Sequence, residues 1–358
     1  MPSIRPALPE TGRVAAGLAI AAAGGYAGDL AGVPLPYMLG AIAATLVAAL
    51  MRVPMAPPRR LMAPMRACLG VLLGSAVTPE LFARLGDLGM ALALVPVYCV
   101  LATVLGHAYL SRVARMPADE SFFAAMPGGI YTIVAFAEEQ GIASERISLI
   151  HAARLMLAVM VIPPVLLLAT GHDVVSATGP SIGIADLAGS DLALLVAAGI
   201  VGWLVAQRVR LPGGIIIGPL LASAVLHLSG LSAAQPPYEL VVAAQVVLGA
   251  AVGTRFIGLA PALVLSTLAY SVGFVLIMFA VTIGAAVTLA GAAATPVVSG
   301  ILAFAPGGLA EMSLVALALG VDPGYVATLH IARILFVVTV APFAWRALAA
   351  RAGGGRGA

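Results

Sequence analysis

Long apolar runs are the feature that most constrains the fold of this chain. Runs of about 18–25 residues recur between residues 13 and 348, and a helix of that length can span the hydrocarbon core of a bilayer. The chain is 62% hydrophobic and 9% charged, and a soluble protein of 358 residues could not bury that much apolar surface. The sequence therefore predicts an all-α polytopic membrane protein.

The charge pattern argues against several other classes of protein. All 18 basic residues are arginines, and they stand mostly at segment ends rather than in a basic patch, so we expect no nucleic-acid partner. Cys68 and Cys99 lie in separate apolar segments, which is typical of small core residues and not of a metal site or a disulfide. The N-terminus resembles a signal peptide, but the many later spans favour an uncleaved first helix.

An internal duplication organises the sequence. Pro127-Gly128-Gly129 and Pro306-Gly307-Gly308 are 179 positions apart (306 − 127), and the same offset pairs other rare residue types. These pairs are Gly141 with Gly320, His151 with His330, Arg154 with Arg333, and Pro163 with Pro342. We predict two repeats of one membrane unit, residues 10–172 and 187–350, joined by a polar linker at 173–186.

Each repeat is predicted to contain five crossing helices and one re-entrant or broken Pro-Gly-Gly segment. The ten predicted spans lie near 13–31, 35–51, 64–79, 88–111, 145–169, 187–207, 213–228, 238–255, 261–290 and 324–346. Five crossings per repeat make the repeats inverted, and nearly all loop arginines are then cytoplasmic, with Arg84 as the exception. Six crossings would place Arg208, Arg210 and Arg255 outside, so inverted repeats are favoured.

A Pro-Gly-Gly interruption at bilayer depth exposes backbone groups that lipid cannot satisfy, so protein or a water-filled cavity must cover it. The proline suits the first turn of a half-helix, and the glycines allow unusual dihedral angles and close approach. A half-helix that begins there points free N–H groups and about half a positive charge at the centre. We expect both Pro-Gly-Gly segments to bind substrate, and the structural alternative is a pair of tight turns.

Two pairs of polar residues follow the interruptions. His151 and Arg154 are three residues apart on one helix face, as are His330 and Arg333. A buried arginine is costly unless it reaches water, a carboxylate, a carbonyl or a bound anion. We expect Arg154 and Arg333 to contact the substrate, to lock the broken segments by capping their carbonyls, or to do both. The two histidines are candidates for coupling, and hydrogen bonding beside the arginines is their structural alternative.

Glu311 is the strongest single candidate for the residue that couples transport to a proton. It follows the second interruption, where its counterpart in the first repeat, Thr132, is neutral. A buried glutamate can exchange a proton in the physiological range, so we expect one half of the molecule to carry the coupling carboxylate. The structural alternative is a static salt bridge between Glu311 and Arg333.

The paired motifs resemble the membrane AbrB family. They are "LPYMLGAIAA", "LGVLLGSAVTPE", "MPGG" and "HAARLMLAVMVIPP" in the first repeat, and "LPGGIIIGPLLA", "APGGLAEMSLVALALGVD" and "LHIARILFVVTVAPF" in the second. The resemblance covers nearly the whole chain and implies a duplicated AbrB membrane domain. Family members carry names that refer to gene regulation or to ammonia oxidation. Five scattered histidines do not predict a copper or iron site, so no metal or cofactor is expected.

We expect a multi-pass protein of the bacterial inner membrane that acts as a secondary transporter or permease. Its substrate would be a small, anionic metabolite that moves with a proton or a sodium ion, by alternating access at the paired broken helices. The alternative is a membrane-embedded regulatory or sensory protein that affects gene expression indirectly and transports nothing. An integral-membrane enzyme ranks third. The oligomeric state, monomer or homodimer, stays open.

Overall fold

The computed structural model describes residues 9–33, 35–77, 85–170, 182–211, 214–293 and 295–354. Within these ranges the chain forms fourteen α-helices and one 3-10 turn at Thr254–Phe256, and it contains no β-strand. The first half contains α1 (Glu10–Leu30), α2 (Pro36–Leu50), α3 (Arg59–Ser75), α4 (Leu85–Arg112), α5 (Ala118–Ala125), α6 (Ile130–Glu139) and α7 (Glu145–Thr170). The second half contains α8 (Gly189–Arg208), α9 (Gly214–Leu228), α10 (Tyr238–Gly253), α11 (Pro261–Ala293), α12 (Val297–Phe304), α13 (Leu309–Ala318) and α14 (Pro323–Gly354).

Six helices in the described ranges are long and apolar enough to cross a bilayer, which confirms the predicted all-α polytopic membrane fold. They contain the segments Leu88–Arg112, Glu145–Leu166, Gly189–Arg208, Tyr238–Phe256, Ala262–Ala293 and Pro323–Arg346. The other four predicted spans coincide with α1, α2, α3 and α9, of which the last three have 15, 17 and 15 residues. The count of ten crossings therefore stays a prediction. Arg84 and most of the predicted linker lie outside the described residues.

Glycines allow close helix packing within each half. α1 packs against α2 with Gly24 on the backbone of Gly40, and α8 packs against α9 with Gly202 on the backbone of Gly218. A side chain at any of these positions would collide with the opposing backbone, so small residues permit the close approach that membrane helices use. The two contacts are related by one offset of 178 positions (202 − 24 and 218 − 40).

The two halves pack on each other through two matching pairs of helices. α3 of the first half packs on α9, and α10 of the second half packs on α2. The contacts are Gly70 with Ile216 and Gly74 with Leu220, and correspondingly Gly249 with Met38 and Gly253 with Thr45. Residue numbers rise together along both interfaces, so α3 runs parallel to α9 and α10 runs parallel to α2.

This parallel packing bears on the number of crossings. If each half crosses five times, with its interruption returning to the side of entry, α2 and α10 point in the same direction. If the interruption crossed as well, α2 and α10 would point in opposite directions. The observed packing favours re-entrant interruptions, while the duplication and the inverted orientation of the repeats stay predictions.

The helices around the interruptions form a group separate from α1, α2, α3, α8, α9 and α10. α4 and α11 pack on each other, and they also pack on the short helices α5 and α12, respectively. α7 and α14 complete this group, each packing on α4 or α11 of the other half. Large side chains such as Tyr98, Phe123 and Phe304 are fully buried here, so this group surrounds the interruptions with a dense apolar core.

Candidate functional site

Both Pro-Gly-Gly segments interrupt a helix, as predicted. α5 ends at Ala125 and α6 begins at Ile130, while α12 ends at Phe304 and α13 begins at Leu309. We call residues 126–129 the first break and residues 305–308 the second break. Their backbone is extended rather than helical at both ends, and most of their residues are buried.

The prolines have a different local role from the predicted one. Pro127 and Pro306 lie within the extended breaks, three residues before the next helix begins, and not in its first turn. The predicted unusual glycine dihedrals are also wrong. Gly129 and Gly308 have φ values of −71° and −85°, and no break glycine has a positive φ.

Close approach is the reason that the breaks need glycine. A Cβ added at Gly128 would lie 2.9 Å from Cγ1 of Val337, which belongs to α14 in the other half. A Cβ added at Gly308 would lie 3.2 Å from Cδ1 of Leu155, which belongs to α7. Each break therefore packs against the last helix of the opposite half, which brings the two breaks to a shared region of the fold.

Arg154 caps the first break from α7. Its Nη1 donates a hydrogen bond to the carbonyl of Met126 at 2.9 Å, and its Nη2 donates to the carbonyl of Gly128 at 3.2 Å. His151 lies one turn earlier and its Nε2 is 3.1 Å from the carbonyl of Phe123. The last carbonyls of a helix have no intrahelical donor and carry partial negative charge, so a guanidinium satisfies and stabilises them.

Arg333 caps the second break in the same way from α14. Its Nη1 donates to the carbonyl of Ala305 at 2.6 Å and its Nη2 donates to the carbonyl of Gly307 at 3.0 Å. His330 Nε2 is 3.0 Å from the carbonyl of Leu302. The spacings between arginine and carbonyl, 28 and 26 residues, are identical in the two halves.

The protonation of His330 follows from its two partners. A carbonyl oxygen only accepts, so Nε2 carries the hydrogen that bonds Leu302, and Nδ1 accepts from Nη2 of Arg333 at 3.2 Å. His330 is therefore neutral in this arrangement. In the first half, Nδ1 of His151 is buried and has no partner among the described residues. Both histidines thus act beside the arginine caps, and their coupling role stays a prediction.

The capping alternative is observed for both arginines, while contact with a substrate stays a prediction. Each side chain is only 5% exposed, and the two guanidinium groups lie close enough to repel each other. Within the described part of the chain their hydrogen bonds go to carbonyls and to His330, and none goes to a carboxylate. The Nε atom of each arginine is buried without a partner there. Neither guanidinium group is therefore paired with a carboxylate within these residues.

Glu311 lies in the first turn of α13 and is half-buried. A carboxylate oxygen of Glu311 lies directly over the α-carbon of Gly308, at the N-terminus of the half-helix, where negative charge is favourable. The described residues include no salt bridge between Glu311 and Arg333, because the hydrogen bonds of that guanidinium go to carbonyls and to a histidine. The predicted static salt bridge is therefore not observed.

Two polar residues that the sequence did not indicate meet the end of α12. Tyr98 of α4 packs its ring on Phe304, with ring centroids 5.2 Å apart, and Thr282 of α11 donates its hydroxyl hydrogen to the Phe304 carbonyl at 3.1 Å. At the end of α5 the neighbours are instead Gly106 and Phe274. Neither Tyr98 nor Thr282 is close to a break in sequence or belongs to a repeated motif, so no sequence signal marked them.

An apolar groove of about 350 Å³ lies elsewhere, between α3, α8 and the start of α10. Its lining includes Cys68, Trp203 and Leu240, and it contains none of the predicted site residues. α8 is the least buried of the six candidate spanning helices, so the groove lies beside an exposed apolar helix. The groove is separate from the breaks.

Comparison with known proteins agrees with the resemblance of the motifs. Residues 37–349 match a family model described as AbrB, transition state regulatory protein. A protein of Bacillus subtilis (strain 168), uncharacterized protein YhjN, is 26% identical over 361 residues, and the similarity covers 92% of each chain. The residues matched by the family model include the two breaks and the residues that cap them.

Proposed function

Since this chain belongs to the membrane AbrB family, we propose that it is a secondary transporter, in the bacterial inner membrane, of a small anionic metabolite. The observation that carries the proposal is the pair of buried guanidinium groups at two helix breaks, with no carboxylate partner among the described residues. Uncompensated positive charge inside a membrane is unfavourable, and a bound anion offsets that cost.

The broken helices support an anion as the substrate. The N-termini of α6 and α13 follow directly after the breaks, and each presents N–H groups that have no intrahelical acceptor. At α13 the carboxylate of Glu311 already lies over this end, whereas the matching position of α6 holds the neutral Thr132. The first break is therefore the more receptive of the two to an added negative charge.

Alternating access is the mechanism that suits this arrangement. Each break packs against the last helix of the other half, so a rotation of one half against the other would change the exposure of both breaks together. The substrate would bind between the breaks near the middle of the membrane. Glu311 would hold the coupling proton or sodium ion, because it is a half-buried carboxylate beside the second break with no ion pair to Arg333.

A counterflow experiment tests the proposal. Proteoliposomes loaded with unlabelled acetate, succinate or citrate would be diluted into the same radiolabelled anion, with proton and sodium gradients imposed separately. We expect accumulation of at least one of these anions in vesicles that contain the protein, and none in protein-free vesicles. Accumulation should increase with one of the two cation gradients.

The description of the family as regulatory favours one other function, a membrane-embedded sensor. A sensor would bind the anion at the same breaks but would not move it. Saturable binding to the detergent-solubilised protein, combined with no counterflow for any of the three anions, would support the sensor and overturn the transporter.

A further inference from the structure

The apolar groove of about 350 Å³ between α3, α8 and the start of α10 has the chemistry of a hydrocarbon-binding site. None of the described residues that line it carries a charge or a hydroxyl group. Val196 and Ile200, on the α8 wall, are each 50% exposed, although both lie inside a candidate membrane span. An exposed apolar surface of this kind marks a place where an apolar partner binds.

The length of the groove matches one half of a bilayer. Its wall on α8 runs from Leu192 to Trp203, which is about 17 Å at about 1.5 Å per residue. The hydrocarbon core of a bilayer is about 30 Å thick, so one leaflet supplies about 15 Å. An acyl chain that lies along α8 therefore has about the length of the groove.

The directions of the helices place four arginines at one end of the groove. α9 follows α8 after residues 209–213 and packs along it, so the two are antiparallel, and α3 runs parallel to α9. α3 and α8 are therefore antiparallel, with Gly199 beside Val71. Arg60 precedes Val71 by 11 residues (71 − 60) and Arg210 follows Gly199 by 11 (210 − 199), so both lie at one level. The exposed arginines at this end are Arg59, Arg60, Arg208 and Arg210.

The opposite end of the groove is acidic. Asp191, beside Leu192, lies in the first turn of α8 and accepts a hydrogen bond from the hydroxyl of Ser232 at 3.0 Å. Glu239 lies in the first turn of α10 and accepts one from the backbone N–H of Ile184 at 3.0 Å. An anionic headgroup is attracted to the arginine end and repelled from the acidic end, so the charges select the ligand and its direction.

We propose that the groove binds an acyl chain of an anionic phospholipid, whose headgroup lies against the arginines at the start of α3 and the end of α8. The site is separate from the breaks and does not rest on the proposed transport. A second copy of the chain fits this surface less well. A two-fold axis along the membrane normal would bring the same arginines of both copies together, and like charges repel.

Quenching of tryptophan fluorescence by brominated lipids tests the site. The chain contains two tryptophans, and Trp345→Phe leaves Trp203, in the groove wall, as the only one. This full-length variant would be reconstituted into phosphatidylcholine vesicles with increasing fractions of phosphatidylglycerol or phosphatidylcholine brominated in the acyl chains. We expect phosphatidylglycerol to bind beside Trp203 at least about fivefold more tightly, the ratio expected from one arginine at a lipid headgroup.

A pair of substitutions in the same background tests the headgroup contact. Arg208→Gln combined with Arg210→Gln should remove most of the preference for phosphatidylglycerol and leave quenching by phosphatidylcholine unchanged. These residues are exposed at a helix end, so the fold should be retained. Arg112→Gln combined with Arg115→Gln is the matched control, because these arginines are exposed at the end of α4, in the group around the breaks. It should keep the full preference.

A substitution inside the groove tests the acyl-chain contact. Gly199→Leu adds a side chain beside Trp203, and its Cβ would lie 3.4 Å from Cγ2 of Val71, an ordinary contact. It should lower quenching by both lipids, whereas Gly284→Leu, at an exposed glycine of α11, should not.

Three outcomes would overturn the lipid site. The first is equal quenching by the two lipids. The second is a preference for phosphatidylglycerol that Gly199→Leu leaves unchanged, because charge alone would then attract the lipid. The third is no quenching by either lipid, and a dimer detected by light scattering in that case would identify a second copy as the occupant.

Discussion

The backbone carbonyls of the two breaks are capped in the same way, but the side chains around the two breaks differ. At both, an arginine in the last helix of the same half donates to two carbonyls, and a histidine one turn earlier lies at hydrogen-bond distance from a third. Among the side chains that the structure describes, only those at the second break include a carboxylate over the next helix, a bond between arginine and histidine, and two hydroxyl groups at its start. At the first break, Gly106 and Phe274 meet the end of α5, and Nδ1 of His151 has no partner among the described residues.

This difference separates what the membrane requires from what a function requires. Carbonyl groups inside a bilayer must be satisfied wherever a helix is interrupted, so the caps are present at both breaks. A carboxylate is not needed to interrupt a helix, because the position that matches Glu311 in the first repeat is Thr132. The polar groups found only at the second break are therefore the best candidates for ligand and ion chemistry.

The largest expected effect comes from removing a cap. Arg333→Ala leaves the carbonyls of Ala305 and Gly307 unsatisfied, and we expect it to lower the free energy of unfolding by about 3 kcal/mol or more. Arg154→Ala should lower it by about 1 kcal/mol less, because Arg154 makes no bond to His151. Unfolding of the purified variants in mixed detergent micelles measures both values.

Arg154→Lys and Arg333→Lys are the matched controls for the caps. Lysine keeps the charge but lacks the planar fork that reaches two carbonyls, so each should lie between the wild type and the alanine variant. Alanine variants as stable as the wild type would show that the carbonyls do not need the caps. Equal losses of unfolding free energy in the two alanine variants would instead show that the bond between Arg333 and His330 adds no stability.

The next largest effect should be on transport and not on stability. Glu311→Gln keeps the shape of the side chain and removes its charge, and we expect at least about tenfold slower counterflow of the anion that the wild type transports. The free energy of unfolding should fall by no more than about 1 kcal/mol, because the charge at the N-terminus of α13 is lost but no ion pair with Arg333 is. Thr132→Val, at the matching position of the first repeat, should retain the wild-type counterflow. Normal counterflow in Glu311→Gln would exclude this carboxylate from coupling.

Sequence reasoning was most reliable where rare residue types repeat at a fixed spacing. The breaks at Pro127 and Pro306 were predicted because proline and glycine interrupt apolar helices. Capping by Arg154 and Arg333 was one of two roles expected of buried arginines. The two carbonyls that each arginine reaches are 28 and 26 residues away in sequence, and only the folded chain shows that they are close in space.

The remaining features could not be predicted because they depend on tertiary contacts. Gly128 is required by its contact with Val337, more than 200 positions away, and not by its own dihedral angles. Tyr98 resembles any other aromatic residue in an apolar helix until its neighbours are known. The short helices α2, α3 and α9 likewise do not reveal from length alone how they are placed in the bilayer.

The smallest predicted effect tests the polar start of the second break. Thr282→Val removes the donor to the carbonyl of Phe304, the last residue of α12, which has no intrahelical donor of its own. We expect a loss of about 1 kcal/mol in the free energy of unfolding. Thr288→Val is the matched control, because Thr288 donates to the carbonyl of Gly284 within its own helix, and that carbonyl lies in the regular helical ladder. Equal effects of the two variants would mean that the Thr282 hydroxyl adds nothing specific to the second break, and the difference between the breaks would then reduce to Glu311, Tyr98 and the His330 bond.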